Sequence, residues 1–186
     1  MSQHPNANGA RQLGLGPRLI RWSAIVLLGL GVALAVRGPG VNLRVGIAAP
    51  QLRLATLQGE VVDLAPYRGK PLLLNFFATW CTPCRMEIPG LNKVHASLGD
   101  EVAVVGVLVF SGMPGEETRT QVAQMGPVYP VWVSDDESAA AWQVSAVPVT
   151  VLLDSQGVVK WVSAGLVTEG EVRDAVHAVL KPTAMR

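Results

Sequence analysis

The stretch KPLLLNFFAT, Lys70 to Thr79, does more than any other to limit what this chain can become. It is a continuous apolar run of the kind that forms a strand covered on both faces, and such a strand belongs near the middle of a sheet flanked by helices. The sequence leaves it through Trp80-Cys81-Thr82-Pro83-Cys84 and enters a helix-like stretch that continues to Leu98. A buried strand therefore delivers the chain's only two cysteines to the start of a helix. Pro89 falls inside that helix and predicts a kink, because proline lacks a backbone donor and crowds the preceding turn.

Strand-like and helix-like stretches alternate through the rest of the chain, which is the pattern of an α/β domain. QLRLATL alternates with period two and pairs with GEVVDL across a turn at Gln58-Gly59. EVAVVGVLVF predicts a second buried strand, EETRTQVAQM a helix, VYPVWV a short strand, and DESAAAWQV a helix capped by Asp135 or Asp136. VTVLLD and VVKWVS, joined by SQG, predict a hairpin, and TEGEVRDAVHAVL an amphipathic helix with Val172, Val176 and Val179 on one side and Thr168 as its cap. Trp132, Trp142 and Trp161 are read as core rather than as a substrate-facing surface.

Hydrophobic residues make up 49% of the 186 and charged ones 16%, more apolar than an ordinary soluble domain. Much of the excess lies in Ile20 to Gly38, whose core from Trp22 to Val36 carries no charge. This segment is expected to be an uncleaved transmembrane signal anchor. Arg21 and Arg37 can snorkel to extend a core shorter than the usual ~20 residues. A signal peptide cut after Ala33-Leu34-Ala35 is the rival reading, and a buried core helix the third. Arg11, Arg18 and Arg21 precede the uncharged core without any acidic residue, which places the amino terminus in the cytoplasm and the remainder outside it. The resulting organisation is a disordered stub over 1–19, the anchor over 20–38, a tether over 39–45, a folded domain over 46–181 and a tail over 182–186. The formal net charge is +1 with lysines and arginines scattered, so no electrostatic footprint for nucleic acid is present.

A Cys-x-x-Cys at a helix start places Cys81 where unpaired N–H groups and the helix dipole favour a thiolate. Cys81 is thus assigned as the exposed nucleophile and Cys84, one turn further in, as the buried resolving thiol, with Pro83 limiting the loop and Trp80 shielding one side. Other readings compete. A structural disulfide closing so short a loop stabilises little. Zinc requires four ligands, and only His4, His95 and His177 supplement the cysteines. A Cu(I)-binding or copper-delivery module is the leading alternative, since Cu(I) accepts thiolates and thioethers and Met86, Met113 and Met125 are present. Two inert buried thiols fit poorly with a helix start.

The segment from Ala49 to Val94, including RGKPLLLNFFATWCTPC, together with VPVTVLLDSQGVVKWVSAGLVTEGEV, resembles the TlpA/ResA-type thiol-disulfide oxidoreductases, a membrane-anchored branch of the thioredoxin-like superfamily. The likeness spans roughly residues 46–181. It implies a thioredoxin-like α/β fold with a four- or five-stranded central sheet flanked by helices and an added amino-terminal hairpin. It also implies a catalytic set of Cys81, Cys84, Glu87 and Pro148, with Trp80, Pro83 and Val147 contacting substrate. Val147-Pro148 becomes a cis peptide facing the pair, and the Val147 backbone a partner for an extended substrate. Glu87 matches an acidic residue beside the pair in ResA-type relatives. A buried position gives it a raised pKa and proton exchange with the thiols, and a surface position leaves it an ordinary helix glutamate. Asn75 stands where thioredoxin has a buried aspartate, and is read as a core hydrogen-bonding residue.

The resemblance further implies a periplasmic reductase of exported protein disulfides, recharged by a membrane thiol reductase and serving tasks such as cytochrome c maturation. It needs no cofactor beyond the Cys81–Cys84 disulfide itself. A thiol peroxidase is the second alternative, although such an enzyme wants a cysteine in an arginine-supported pocket rather than a Cys-x-x-Cys pair.

Overall fold

Leu72–Phe77 forms strand β3 with every residue buried, flanked by β4 (Ala103–Leu108) in parallel and β6 (Val149–Leu153) in antiparallel register. The computed structural model describes residues 43–62, 64–112 and 115–181. Among them the remaining strands are β1 (Leu54–Thr56), β2 (Val61–Val62), β5 (Val131–Ser134) and β7 (Val159–Ala164). The helices are α1 (Thr82–Leu98), α2 (Glu116–Met125), α3 (Asp136–Ala141) and α4 (Glu169–Leu180), with a 3-10 turn at Ala65–Tyr67. The segment read as a membrane anchor lies outside the described residues, and among those described no helix is long and apolar enough to cross a membrane.

All seven strands share one mixed sheet in the order β2-β1-β5-β4-β3-β6-β7. The hairpin expected as an addition is hydrogen-bonded onto the central sheet itself, with Leu54 opposite Ser134 and Thr56 opposite Trp132. Residues 46–49 are tied to the β6–β7 hairpin by an Ala48–Val158 bridge and by the Gly46 amide, which donates to the Val159 carbonyl at 2.8 Å. That hairpin turns through Asp154, whose Oδ1 accepts from the amides of Gln156 and Val158, and Gly157, whose φ of +79° suits a residue without Cβ.

The period-two alternation of β3 divides its side chains between two cores. Leu72, Leu74 and Phe76 join Val105, Val107, Trp132, Trp142 and Val151 on one face. Leu73 packs with Leu91, Val94, Val172 and Val176 beneath α1 and α4 on the other. Trp142 and Trp132 are core residues and Trp161 packs against the second cluster. The helix expected over DESAAAWQV stops at Ala141, and Gln143 follows in a left-handed turn with φ +54°. Burying Trp142 and Val144 in the first core turns the chain where its alanine-rich propensity alone would have continued the helix. Asp135 caps α3 by accepting from the Ser138 amide, and Thr168 with Glu171 forms a capping box on α4.

This topology decides where chemistry can occur. The carboxyl ends of the parallel strands β3 and β4 and the start of antiparallel β6 lie at one edge of the sheet.

Candidate active site

At that edge β3 passes through Ala78, Thr79 and Trp80 into α1, and Cys81 is the residue that caps the helix. Its Sγ accepts from the Cys84 amide at 3.2 Å. Cys81 and Cys84 are joined in a disulfide with Cα atoms 5.3 Å apart. The expected exposed nucleophile is nearly covered: Cys81 is 3% exposed and Cys84 0%. The cause is packing, since both sulphurs sit among Phe77, Ala78, Ile88 and Leu108, with Val147 against the same cluster. Trp80, the residue before Cys81, is 67% exposed. Pro83 is exposed on the first turn, and the Arg85 guanidinium is held by the Thr79 carbonyl at 3.0 Å.

The Val147-Pro148 bond is cis, as expected from the resemblance. The β3–β6 register pairs Phe76 with Val149, which carries Pro148 and Val147 alongside the end of β3 and so to the cysteines. The Pro148 carbonyl accepts from Gly165 at 2.8 Å, whereas the N–H and C=O of Val147 have no partner among the described residues.

Glu87 is buried, with 3% of its surface exposed. It lies three residues after Cys84 on the same inward face of α1, where i and i+3 side chains are neighbours. Its Oε1 accepts from Asn75 Nδ2 at 2.6 Å and its Oε2 from the Val167 amide at 3.2 Å. Asn75 also donates to Thr150 Oγ1 at 3.1 Å, its register partner across β3 and β6. Burial pushes the Glu87 carboxyl up to about 7, against the opposing pull of the Asn75 and Val167 hydrogen bonds. Burial, and then the nearby Glu87 charge, push the Tyr129 phenol upward as well.

The core reading of Asn75 holds, and its partner gives that position a second meaning. The alternation of β3 turns Asn75 toward α1, so an amide where thioredoxin has an acid orients the acid supplied by the helix. Sequence reasoning missed Thr150, the Val167 amide and Tyr129. A lone threonine in the otherwise apolar strand VTVLL was the available signal for the first, and a backbone amide leaves none.

Of the thioethers considered for copper, Met86 is 64% exposed, Met125 is buried at 9% and Met113 lies outside the described residues. Among the described residues no group of three or more His, Cys, Asp or Glu is arranged to hold a metal. Two cavities, of about 480 Å³ beside Tyr67 and Asp154 and about 710 Å³ beside Leu54 and Val133, are lined by neither cysteine.

The sequence profile of the AhpC/TSA family matches residues 45–162, which include both cysteines, Glu87 and the cis proline. The chain belongs to the AhpC/TSA family. Within the family this thioredoxin-like chain is 35% identical over 136 residues to thioredoxin-like protein YneN of Bacillus subtilis, covering 71% of this chain and 78% of that one. It is 31% identical over 139 residues to thiol-disulfide oxidoreductase ResA of Geobacillus thermodenitrificans, covering 73% and 78%. Among solved structures, a thiol:disulfide interchange protein of the thioredoxin family from Chlorobium tepidum superimposes with a TM-score of 0.61 at 26% identity, covering 73% of this chain and 98% of that one. This AhpC/TSA-family chain is a thiol-disulfide oxidoreductase of the ResA type, whose redox chemistry is carried by its own cysteine pair.

Proposed function

We propose that this oxidoreductase is held in the inner membrane by residues 20–38, with its thioredoxin-like domain in the periplasm, and that it reduces disulfides of exported proteins. The supporting observation is the charge environment of the pair. No cation is bonded to the Cys81 sulphur among the described residues, and a buried carboxyl lies one helical turn beyond Cys84. When ionised, Glu87 disfavours a thiolate beside it, which raises the free energy of the reduced pair and makes it a stronger electron donor.

The reaction proceeds in two exchanges. The Cys81 thiolate attacks one sulphur of the substrate disulfide, forming a mixed disulfide and releasing the first substrate thiolate, which takes up a proton. Glu87 accepts the proton of the Cys84 thiol, whose thiolate then attacks the Cys81 sulphur and expels the second substrate sulphur as a thiolate, and the proton held by Glu87 is given up as that thiolate is protonated. Two electrons pass to the substrate and the Cys81–Cys84 disulfide remains. A membrane thiol reductase restores the dithiol. The unpaired N–H and C=O of Val147 are suited to an extended substrate strand, and Trp80 and Pro83 border the same approach. An apocytochrome awaiting haem attachment is one substrate that fits a reductase so placed.

The test is the reduction potential against glutathione or dithiothreitol, with Cys81→Ser and Cys84→Ser controls. A reversible two-electron couple at or below about −230 mV supports the reductase, and one near about −120 mV, typical of a strong thiol oxidant, reverses the direction. Protease added to spheroplasts digests the domain if it faces the periplasm, and protection from digestion overturns the localisation.

A further inference from the structure

Four buried side-chain polar atoms have no hydrogen-bond partner among the described residues, and three of them, Asn75 Oδ1, Tyr129 Oη and His95 Nδ1, belong to the layer between the sheet and α1. Buried polar atoms are nearly always paired, so a concentration of unpaired ones in one layer has a cause. The group they share that layer with is Glu87, which accepts from Asn75.

The sheet register sets Tyr129 beside that hydrogen bond. Asn75 is the register partner of Gly106 on β4, and side chains at paired positions of neighbouring strands point to the same face. Gly106 has no side chain, and the Tyr129 ring takes the space: a Cβ on Gly106 would meet Tyr129 Cε2 at 3.2 Å. The phenol is close enough to Glu87 for the carboxylate charge to act on it. It clusters with Leu91 and Val94 of α1, and its ring meets that of His95 edge-on, with centroids 6.2 Å apart. The Val128 amide, one residue earlier, donates to Asn92 Oδ1 at 3.0 Å and ties this segment to the helix. Glu87 and His95 are eight residues apart on α1, about 12 Å along its axis, and Tyr129 lies against that interval.

The remaining charged side chains of the packing helices are engaged elsewhere or solvated. On α1, Arg85 is held by the Thr79 carbonyl and Lys93 by Glu169. On α4, Arg173 pairs with Glu169, Glu171 closes the capping box, and Asp174 and His177 are exposed. Strands β3 and β4 carry no charged residue.

We propose that Tyr129 and His95 form the proton exit of the reaction: the proton that Glu87 takes from the Cys84 thiol passes to the Tyr129 oxygen as the phenol gives its own proton to His95 Nδ1, and His95 releases one to solvent from its other nitrogen. Each passage moves one proton and no electrons. Glu87 is left ionised, Tyr129 again carries a hydroxyl, and the expelled substrate thiolate takes its proton from water. A hydroxyl and an imidazole suit this because each both accepts and donates. A separate exit is useful because a bound substrate covers the cysteines, whereas His95 is half-buried further along α1 and keeps contact with solvent. This inference rests on the reading of Glu87 as the base for Cys84 given above.

The experiment mixes the reduced full-length chain with saturating hydroxyethyl disulfide and follows decay of the mixed disulfide by acid quenching at pH 6 and pH 8. With its carboxyl raised to about 7, Glu87 mostly holds a proton at pH 6 and must release it before Cys84 reacts, and at pH 8 it has mostly released it already. Tyr129→Phe keeps the ring and is expected to slow the decay about tenfold at pH 6 and less than about twofold at pH 8. Its reduction potential and urea midpoint hold. His95→Ala shows the same profile, and imidazole added at fixed pH and ionic strength restores its rate. A deficit of equal size at both pH values is what a packing role produces and overturns the proposal. Parent-like decay of both variants at pH 6 overturns it too, as does a deficit in His95→Ala that imidazole leaves unchanged; in each case the Glu87 reading stands. Decay in Glu87→Gln that matches the parent at both pH values removes Glu87 as the base, and the proposal with it.

Discussion

Replacing Glu87 by glutamine removes a buried titration while nearly preserving shape. The carboxyl has an ordinary value of 4.5 and is raised to about 7 in the folded protein. Below 4.5 it is protonated in both folded and unfolded chains. Between 4.5 and 7 the unfolded chain releases the proton while the folded chain retains it, so this contribution to stability is lost as pH rises and the loss is complete above about 7. Each tenfold difference in proton affinity between the two states is worth ~1.4 kcal/mol, so the loss comes to about 3 kcal/mol. Glutamine does not titrate. It can accept from the Val167 amide and, after an amide flip at Asn75, donate to the Asn75 Oδ1 that has no partner in the present arrangement. Allowing about 1 kcal/mol for imperfect bonds, Glu87→Gln is expected to be about 2 kcal/mol more stable than the parent at pH 8 and within about 1 kcal/mol of it at pH 5. Urea unfolding of the oxidised proteins, followed by tryptophan fluorescence, reads both values. A parent stability that is flat or rises from pH 5 to pH 8, or a variant that falls in parallel with it, refutes the reasoning.

Removing the Asn75 side chain by Asn75→Ala deletes a hydrogen bond that lowers the Glu87 pKa, so the midpoint of the same stability profile moves above 7, and an unmoved midpoint contradicts the positioning role. Cys84→Ser is expected to accumulate a mixed disulfide between Cys81 and substrate, visible as a reducible mass increase on a non-reducing gel, whereas Cys81→Ser captures none; the opposite pattern reassigns the nucleophile. A methyl on Gly106 would lie 3.0 Å from Phe77 Cε1 and 3.2 Å from Tyr129 Cε2, so Gly106→Ala costs about 1 to 3 kcal/mol of overpacking, measured by the same urea titration. Thr168→Ala breaks the α4 capping box and is expected to lower stability by about 1 kcal/mol without changing the reduction potential.

The elements were legible where a single rule governed them. The run Leu72–Phe77 reads as a buried strand because both its faces are apolar, and Thr82–Leu98 and Glu116–Met125 read as helices from pattern and propensity. Helix α3 was overestimated because the demand to bury Trp142 acts through contacts with Phe76, sixty-six residues away in sequence, which no local window contains. The cysteines were legible as a reactive pair because a thiol at a helix start has a local cause. Their near-complete burial was not, because Leu108 and Val147 reach them only through the sheet.

The amino-acid sequence by itself determined the alternation of strands and helices, the Cys81–Cys84 spacing and the placement of Glu87 one turn beyond Cys84, since each depends on neighbours in the chain. Tertiary structure decided that Glu87 is buried rather than solvated. It also gave Glu87 its partners Asn75 and Val167, twelve and eighty residues away, and brought Pro148 to the segments around the pair. Those facts follow from strand order and register. Period two sets which face each β3 side chain takes, but only the assembled sheet determines what waits on that face, and desolvation there moves the carboxyl into the range where it can exchange protons with a thiol.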